Sequence, residues 1–234
     1  MRAIAFLTQK GGAGKTTLAA SLAVAAASAG EKVVALDLDP QGSLIRWNER
    51  REATKLPKTP NRVIVEPFES ERLPRLRTVL EGLAEVGFSV AVFDTPGADS
   101  AASRLVTEAV DLCLLPARPT RIDVEATAAT FRSVFLAKRK AAFVLNQCPS
   151  TYRSARTSES AKGLMRLGVL AEPMLSARMD FQDAIAHGLG VTEFAPQGRA
   201  AQEIEGLWRW IRAQLKDTKS DMSVYNRPHR QAAA

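Results

Sequence analysis

The chain has 234 residues, 46% of them hydrophobic and 24% charged, which fits one ordinary α/β-sized domain with a real core. No apolar run approaches the roughly 20 residues that a bilayer-spanning helix needs, and the short apolar run near the N-terminus reads as a strand, so a signal peptide is not expected. The formal net charge is +7 with a pI near 9.7, a surplus that turns attention to polyanionic partners.

In chain order, residues 2–8 read as a strand and residues 18–29 as a helix, with Leu18, Leu22 and many alanines for close packing on a sheet and Gly30 at the C-terminal stop. Val33 to Leu38 is a continuous apolar run, as expected of a parallel strand buried on both faces. Ser43 to Lys55 reads as a helix carrying Trp47, residues 56–61 with their two prolines as a loop, and Arg62 to Val65 as a short strand. A helix is expected over Glu71 to Glu85, with Leu73, Leu76, Leu80 and Leu83 on one side. Ser89 to Phe93 is the next strand, Ser100 to Glu108 a short helix, and Val110 to Leu115 a strand stopped by Pro116.

Thr120-Arg121-Ile122-Asp123 resembles a capping box opening a helix to about Ala137. A strand over Ala141 to Asn146, a helix over residues 154–167, a last short strand within Val169 to Leu175, a short helix over Phe181 to His187 and a long amphipathic helix over Gln197 to Leu215 complete the series. The polar tail, residues 216–234, is expected to be disordered. This alternation implies a single α/β domain over residues 1–215: a doubly wound, mostly parallel sheet with helices on both faces.

Three motifs fall at the carboxyl ends of strands, where ligands bind in such sheets. The first is Thr8 to Thr17, TQKGGAGKTT. Gly11, Gly12 and Gly14 let the backbone turn tightly and aim successive amides inward, and Ala13, Lys15, Thr16 and Thr17 complete a phosphate-binding loop opening a helix. Lys15 supplies charge for the outer phosphates, and the Thr16 hydroxyl is placed for Mg²⁺. Lys10 stands where the ordinary phosphate-loop pattern has its first glycine. The second motif, Asp37-Leu38-Asp39-Pro40-Gln41-Gly42, ends one strand with two carboxylates. Asp39 is placed to orient or deprotonate an attacking water and to approach Mg²⁺ through a water; Asp37 either organises those surroundings or caps the loop. The third, Asp94-Thr95-Pro96-Gly97, has the Walker B form, with Asp94 reaching Mg²⁺ through a water.

Cys113 and Cys148 are expected to be two reduced thiols rather than a disulfide or metal site. Between Lys138 and Arg166 stand seven basic residues and one acidic residue, nearly the whole charge surplus. Such a concentration raises the prospect of nucleic acid.

With these motifs in order and in spacing, the sequence resembles the deviant Walker A ATPases of the ParA/MinD family, and most closely their small ParA-type members. Pro116 after a strand, Asn146 at a strand end and the glycine-containing stretch from Ala186 to Phe194 agree with it. The resemblance implies ATP and Mg²⁺ as cofactors and a homodimer with two nucleotides sandwiched face to face. Lys10 would then be the signature lysine that reaches the partner's nucleotide, Lys15 and Asp39 would share catalytic roles with it, and Asn146 would contact adenine. It further implies slow ATP hydrolysis stimulated by a ParB-like or other adaptor protein, and non-specific DNA binding through basic residues, for which Arg153, Arg156, Lys162 and Arg178 are the candidates. With the loop starting at residue 8, an extra N-terminal DNA-binding domain is not expected. A cytoplasmic, nucleoid-associated protein that segregates plasmid or chromosomal DNA is the leading expectation. Alternatives are the same switch acting on a protein cargo such as a chemoreceptor cluster or carboxysome, a metabolic ligase or kinase on the same loop, and a partner-binding protein with a dead site. The tail lacks an apolar helical stripe, so membrane attachment is not expected.

Overall fold

A computed structural model describes residues 1–59, 62–97, 100–150 and 154–216. Among them, seven strands form one parallel sheet: Arg2–Phe6 (β1), Val33–Asp37 (β2), Val63–Pro67 (β3), Val90–Asp94 (β4), Leu112–Ala117 (β5), Ala141–Leu145 (β6) and Val169–Leu170 (β7). Their order across the sheet is β3-β2-β4-β1-β5-β6-β7. The sequence order turns back at β1, so the crevice above its carboxyl end lies between crossovers that leave in opposite directions.

The helices are Lys15–Ser28 (α1), Ser43–Ala53 (α2), Leu76–Glu85 (α3), Ala101–Ala109 (α4), Arg121–Leu136 (α5), Ala155–Met165 (α6), Met179–Ala186 (α7), Val191–Phe194 (α8) and Arg199–Lys216 (α9). They divide between the two faces. One core layer packs α1, α2 and α7 to α9 against Ile4, Phe6, Val33, Ala35, Val90 and Val92. The other packs α3 to α6 against Ala3, Ala5, Val34, Leu36, Ala91 and Phe93. Successive strand residues go to opposite layers, yet both layers are apolar, which is why these strands read as unbroken apolar runs.

Alanine lets α1 sit close to the sheet. Residues 18–27 of this helix are all buried, and Gly190 packs so tightly on it that a Cβ there would lie 2.5 Å from the Val24 Cβ. Trp47 is fully buried beneath the same region and donates its indole N–H to the Leu189 carbonyl at 3.1 Å.

Two expected elements differ from the sequence expectation, and the short helix Val191–Phe194 has no counterpart in it. The helix expected from Glu71 begins as a 3-10 turn over Ser70–Arg75, because Pro74 has no amide to donate into an α-helical ladder, and α3 proper starts at Leu76. The strand expected to stop at Pro116 runs through it to Ala117. Residue 114 bonds toward β1, whose pairing with β5 ends there, so the amide missing at 116 points where β1 has already left the ladder. The last strand is only two residues long, followed by an isolated bridge between Cys148 and Ser176. Both cysteines are buried free thiols, and no helix among the described residues is long and apolar enough to cross a membrane. Arg153 and the tail beyond Lys216 lie outside the described residues.

Candidate functional site

The loop from Thr8 to Gly14 leaves the carboxyl end of β1 and turns into α1. Thr8 is buried, and its Oγ1 accepts the Lys10 amide at 3.2 Å. Gly14 caps α1 at φ 88° with no side-chain cap, so the first amides of the helix face the loop's concavity with no side-chain acceptor at that cap. Two side chains from the end of β6 brace the loop: Asn146 Nδ2 donates to the Ala13 carbonyl at 2.8 Å, and Gln147 Nε2 to the Gly12 carbonyl at 3.1 Å. A Cβ on Gly14 would stand 2.5 Å from Asn146 Nδ2, so glycine is required there for space as well as for φ.

The carboxylates arrive from neighbouring strands. In register, Asp37 on β2 and Phe6 on β1 both flank Asp94 on β4, at the end of the sheet where the phosphate loop begins. Asp94 is fully buried, and Thr16 Oγ1 donates to its Oδ2 at 2.6 Å. Burial, chiefly, pushes the Asp94 carboxyl up to about 7; the Thr16 hydroxyl and Lys15 pull against that shift, while Asp37 and Asp39 add to it. Lys15 is buried at 8% exposure, and burial lowers the pKa of its ammonium against the attraction of Asp94 and Asp39. Gly97 closes over it: a Cβ there would lie 3.4 Å from Lys15 Nζ.

Asp37 and Asp39 separate into different tasks. Asp37 accepts the Asp39 amide at 3.0 Å on Oδ1 and the Leu44 and Ile45 amides at 2.9 and 3.1 Å on Oδ2. It thus fixes the turn and caps α2 from a distance, the capping alternative of the two. Burial raises its pKa, and the three amides oppose that. Asp39 is half-buried, and its Oδ1 accepts the Gln41 amide at 3.0 Å.

The donors suit a magnesium ion. Asp94 Oδ1 is buried without a hydrogen-bond partner, beside the Thr16 hydroxyl, and hard oxygen ligands of this kind hold Mg²⁺ together with phosphate and water. Among the described residues there is no cluster of three or more metal-binding side chains, and Mg²⁺ shared with a nucleotide needs none.

Lys10 goes elsewhere. Its Nζ lies 2.9 Å from Oδ1 of Asp123, on the first turn of α5. Arg118, at the end of β5, binds the same carboxylate through Nε at 3.0 Å and Nη2 at 3.2 Å, and Thr120 Oγ1 donates to it as well. The Arg118 guanidinium also passes the phosphate loop, 3.9 Å from where a Gly12 Cβ would be. Sequence reasoning named Asp123 only as a capping residue, and overlooked Arg118 and Gln147. Their signal was position: each closely follows a strand that ends at the loop.

Beside the loop a cavity of about 190 Å³ is lined by Gly14, Thr17, Asn146, Arg178, Met179 and Phe181. Asn146 therefore lines this cavity as well as bracing the loop. Arg178 stands in this cavity wall, ion-paired to Glu203 at 2.7 Å, apart from the other basic candidates. Arg156 and Lys162 are exposed on α6. Since α6 descends from the loop end of the sheet, Arg156 and Arg166 are separated by about 15 Å along its axis. Lys138, Arg139 and Lys140 lie at the opposite end of the sheet, beside Met1 and Arg2. The block that is continuous in sequence is spread over the height of the molecule.

Residues 4–191 match the CobQ/CobB/MinD/ParA nucleotide-binding domain. The maintenance of carboxysome distribution protein A of Gloeobacter kilaueensis is 34% identical over 217 residues, covering 92% of this chain and 94% of that protein. An ATP complex of a Cyanothece McdA variant superposes with a TM-score of 0.75 at 17% identity, covering 90% of this chain and 96% of the other. The cell division ATPase MinD of Pyrococcus furiosus does so at 0.69 and 22% identity, covering 91% and 99%. The family model and the carboxysome-distribution relative each cover most of the chain that carries this phosphate loop and these strand-end carboxylates, and the chain belongs to the CobQ/CobB/MinD/ParA nucleotide-binding family as a ParA/MinD-type deviant Walker A ATPase.

Proposed function

We propose that this chain is an ATP-driven positioning switch. The observation that carries the reading is the contrast between the two lysines of one loop. Lys15 is buried beneath Gly97 at 8% exposure, among the carboxylates of its own site. Lys10 is turned outward onto α5 at 34% exposure. A loop lysine that its own phosphate pocket does not enclose suits a role on a second subunit's nucleotide.

In this reading Lys15 and the loop amides hold the phosphates, the Asn146 side of the cavity takes adenine, and Thr16 and Asp94 hold Mg²⁺, with Asp39 near it through a water. The ion would screen the phosphate charge. Asp39, with its Oδ1 fixed by the Gln41 amide, orients the attacking water. Two facing triphosphates repel, and Lys10 from each protomer offsets that repulsion and stabilises charge on the transferring phosphoryl group. ATP therefore joins the dimer and hydrolysis releases it. The dimer binds DNA without sequence preference through exposed basic side chains, with Arg156 and Lys162 as the exposed candidates among the described residues. An adaptor on the cargo stimulates an otherwise slow turnover.

The carboxysome-distribution relative matches this chain nearly end to end, which favours a protein assembly as cargo over plasmid or chromosomal DNA. The test compares ATPase rate with and without DNA, and retention on DNA with ATP against ADP. Retention only with ATP is expected; equal retention in both states removes the switch. Imaging a tagged copy beside a tagged candidate cargo decides between the two cargo classes.

A further inference from the structure

The amino end of the sheet, opposite the nucleotide site, carries a groove that the ATPase reading leaves unused. Two cavities of about 290 Å³ each meet there and share Val110, Asp111 and Arg139. One lies against α3 and α4, the other against the end of α9 and the turn before β6. Together they cross from one helical layer to the other past the amino ends of β1 and β5.

Cations outnumber carboxylates along this groove. Arg77 and Arg139 line the first cavity, and Arg2, Lys138, Arg139 and Lys140 the second, against Glu81 and Asp111. Asp111 is already engaged, because its Oδ2 accepts the Ala3 amide at 2.7 Å, and Arg2 is ion-paired to Glu31 at 2.7 Å. Among the described residues no carboxylate pairs with Lys138 or Arg139. Lys138 holds φ 54°, a left-handed backbone that costs a lysine more than a glycine. Between the charges the lining is apolar: Leu80, Ala84, Ala109 and Val110 at one end, Val110 and Leu215 at the other.

That mixture selects among anionic partners. A DNA duplex gains from the cations, but Glu81 would face its phosphates and the apolar lining offers them nothing. A flat bilayer does not enter a concave groove. An extended peptide turns successive side chains to opposite sides, so acidic residues reach the rim cations while apolar ones enter the lining.

We propose that this groove binds an extended segment of a partner protein in which acidic and apolar residues alternate. Opposite charge at the rim guides the segment in, and apolar burial holds it. The site is remote from the phosphate loop, so the segment stays bound whichever nucleotide the loop carries and leaves the loop face free. The proposal does not depend on the dimer.

Fluorescence anisotropy on the full chain tests it. The probes are a labelled peptide alternating glutamate with leucine and valine, a version with lysine for glutamate, a version with serine for the apolar residues, and a labelled DNA duplex. The first peptide should bind several-fold more tightly than its two counterparts, and equally in ADP and ATPγS. Arg139→Glu should weaken it several-fold. Ala84→Tyr, which fills the groove without altering its charge, should do the same, whereas Arg156→Glu, an identical charge change on α6, should not. Lys138→Gly should weaken the peptide without lowering the urea midpoint, which keeps the proposal falsifiable if Arg139→Glu fails to fold. A first peptide that binds no better than its lysine version overturns the proposal. Weakening by Arg139→Glu but not by Ala84→Tyr overturns the groove and leaves only a charged surface. Duplex binding that Arg139→Glu abolishes, with no peptide bound, makes this end a DNA site and overturns the protein partner. Peptide binding that ATPγS abolishes overturns the location.

Discussion

Lys10 and Lys15 are five residues apart and of one type, yet their surroundings give them different chemistry. Lys15 is enclosed with Asp94 and Asp39, and burial lowers the pKa of its ammonium, so a phosphate arriving beside it gains a poorly hydrated cation. Lys15→Ala is expected to weaken ATP binding by at least tenfold in a fluorescent-nucleotide titration. Lys10→Ala should leave that affinity within about threefold, because Nζ points to Asp123 instead, while abolishing stimulated hydrolysis. If both variants bind equally poorly, the in-trans role is wrong. Gly14 is equally exacting. A methyl group at φ 88° would strike Asn146 Nδ2, so Gly14→Ala should loosen the brace on Ala13 and cost about 1–3 kcal/mol, read from chemical denaturation with nucleotide affinity measured in parallel.

At the scale of elements, most of the sheet is legible in the sequence because strands buried on both faces have no choice but to be apolar throughout. The phosphate loop and the Asp94 strand end are legible for a related reason: their residue types are dictated by phosphate and cation chemistry wherever they occur. What sequence reasoning misses depends on contacts across the fold. The Lys10–Asp123 pair joins positions 113 residues apart by their numbering, and nothing local to Asp123 marks it beyond a helix cap. The passage of β5 through Pro116 depends on where its neighbour β1 ends, which no window around residue 116 contains. Arg51 and Glu193 behave likewise. They join α2 to α8 through two charge-assisted hydrogen bonds of 2.7 and 2.8 Å, each side chain 5% exposed. Glu193→Ala would leave the Arg51 guanidinium buried and uncompensated, and should cost about 3–5 kcal/mol in urea denaturation. Burial works against the Glu193 carboxylate, but Arg51 and the Thr59 and Gly190 amides outweigh it, and its folded pKa lies below the ordinary value. The pair's contribution is therefore complete above the unfolded glutamate pKa of about 4.3 and is lost as pH falls through the lower folded value. Between neutral pH and about pH 5 the deficit of Glu193→Ala should be constant, shrinking only in stronger acid.

For the whole molecule, the placement of charge relative to the nucleotide determines what a DNA experiment can show. The site sits at the carboxyl ends of the strands, with Arg156 on α6 near that end and Lys162 and Arg166 further down the same helix. Arg178 is close to the site but already spends its guanidinium on Glu203 and Ser176. Each lysine or arginine that neutralises a DNA phosphate contributes about 0.9 to the slope of log affinity against log salt concentration. Arg156→Ala or Lys162→Ala should thus weaken ATP-dependent retention at every DNA sequence tested and flatten that slope by about one for each phosphate left without its cation. Arg178→Ala should leave the slope unchanged and instead alter nucleotide affinity, since it removes a wall of the base-sized cavity and leaves Glu203 without its cation. A slope that falls for Arg178→Ala but not for either α6 variant would place the DNA on the nucleotide face and take it off α6. Because the proposed dimer carries two copies of α6, the slope should also be about twice as steep with ATPγS as with ADP. Equal slopes in the two nucleotides would mean that a protomer binds DNA alone, and ATP would then have no control over the attachment.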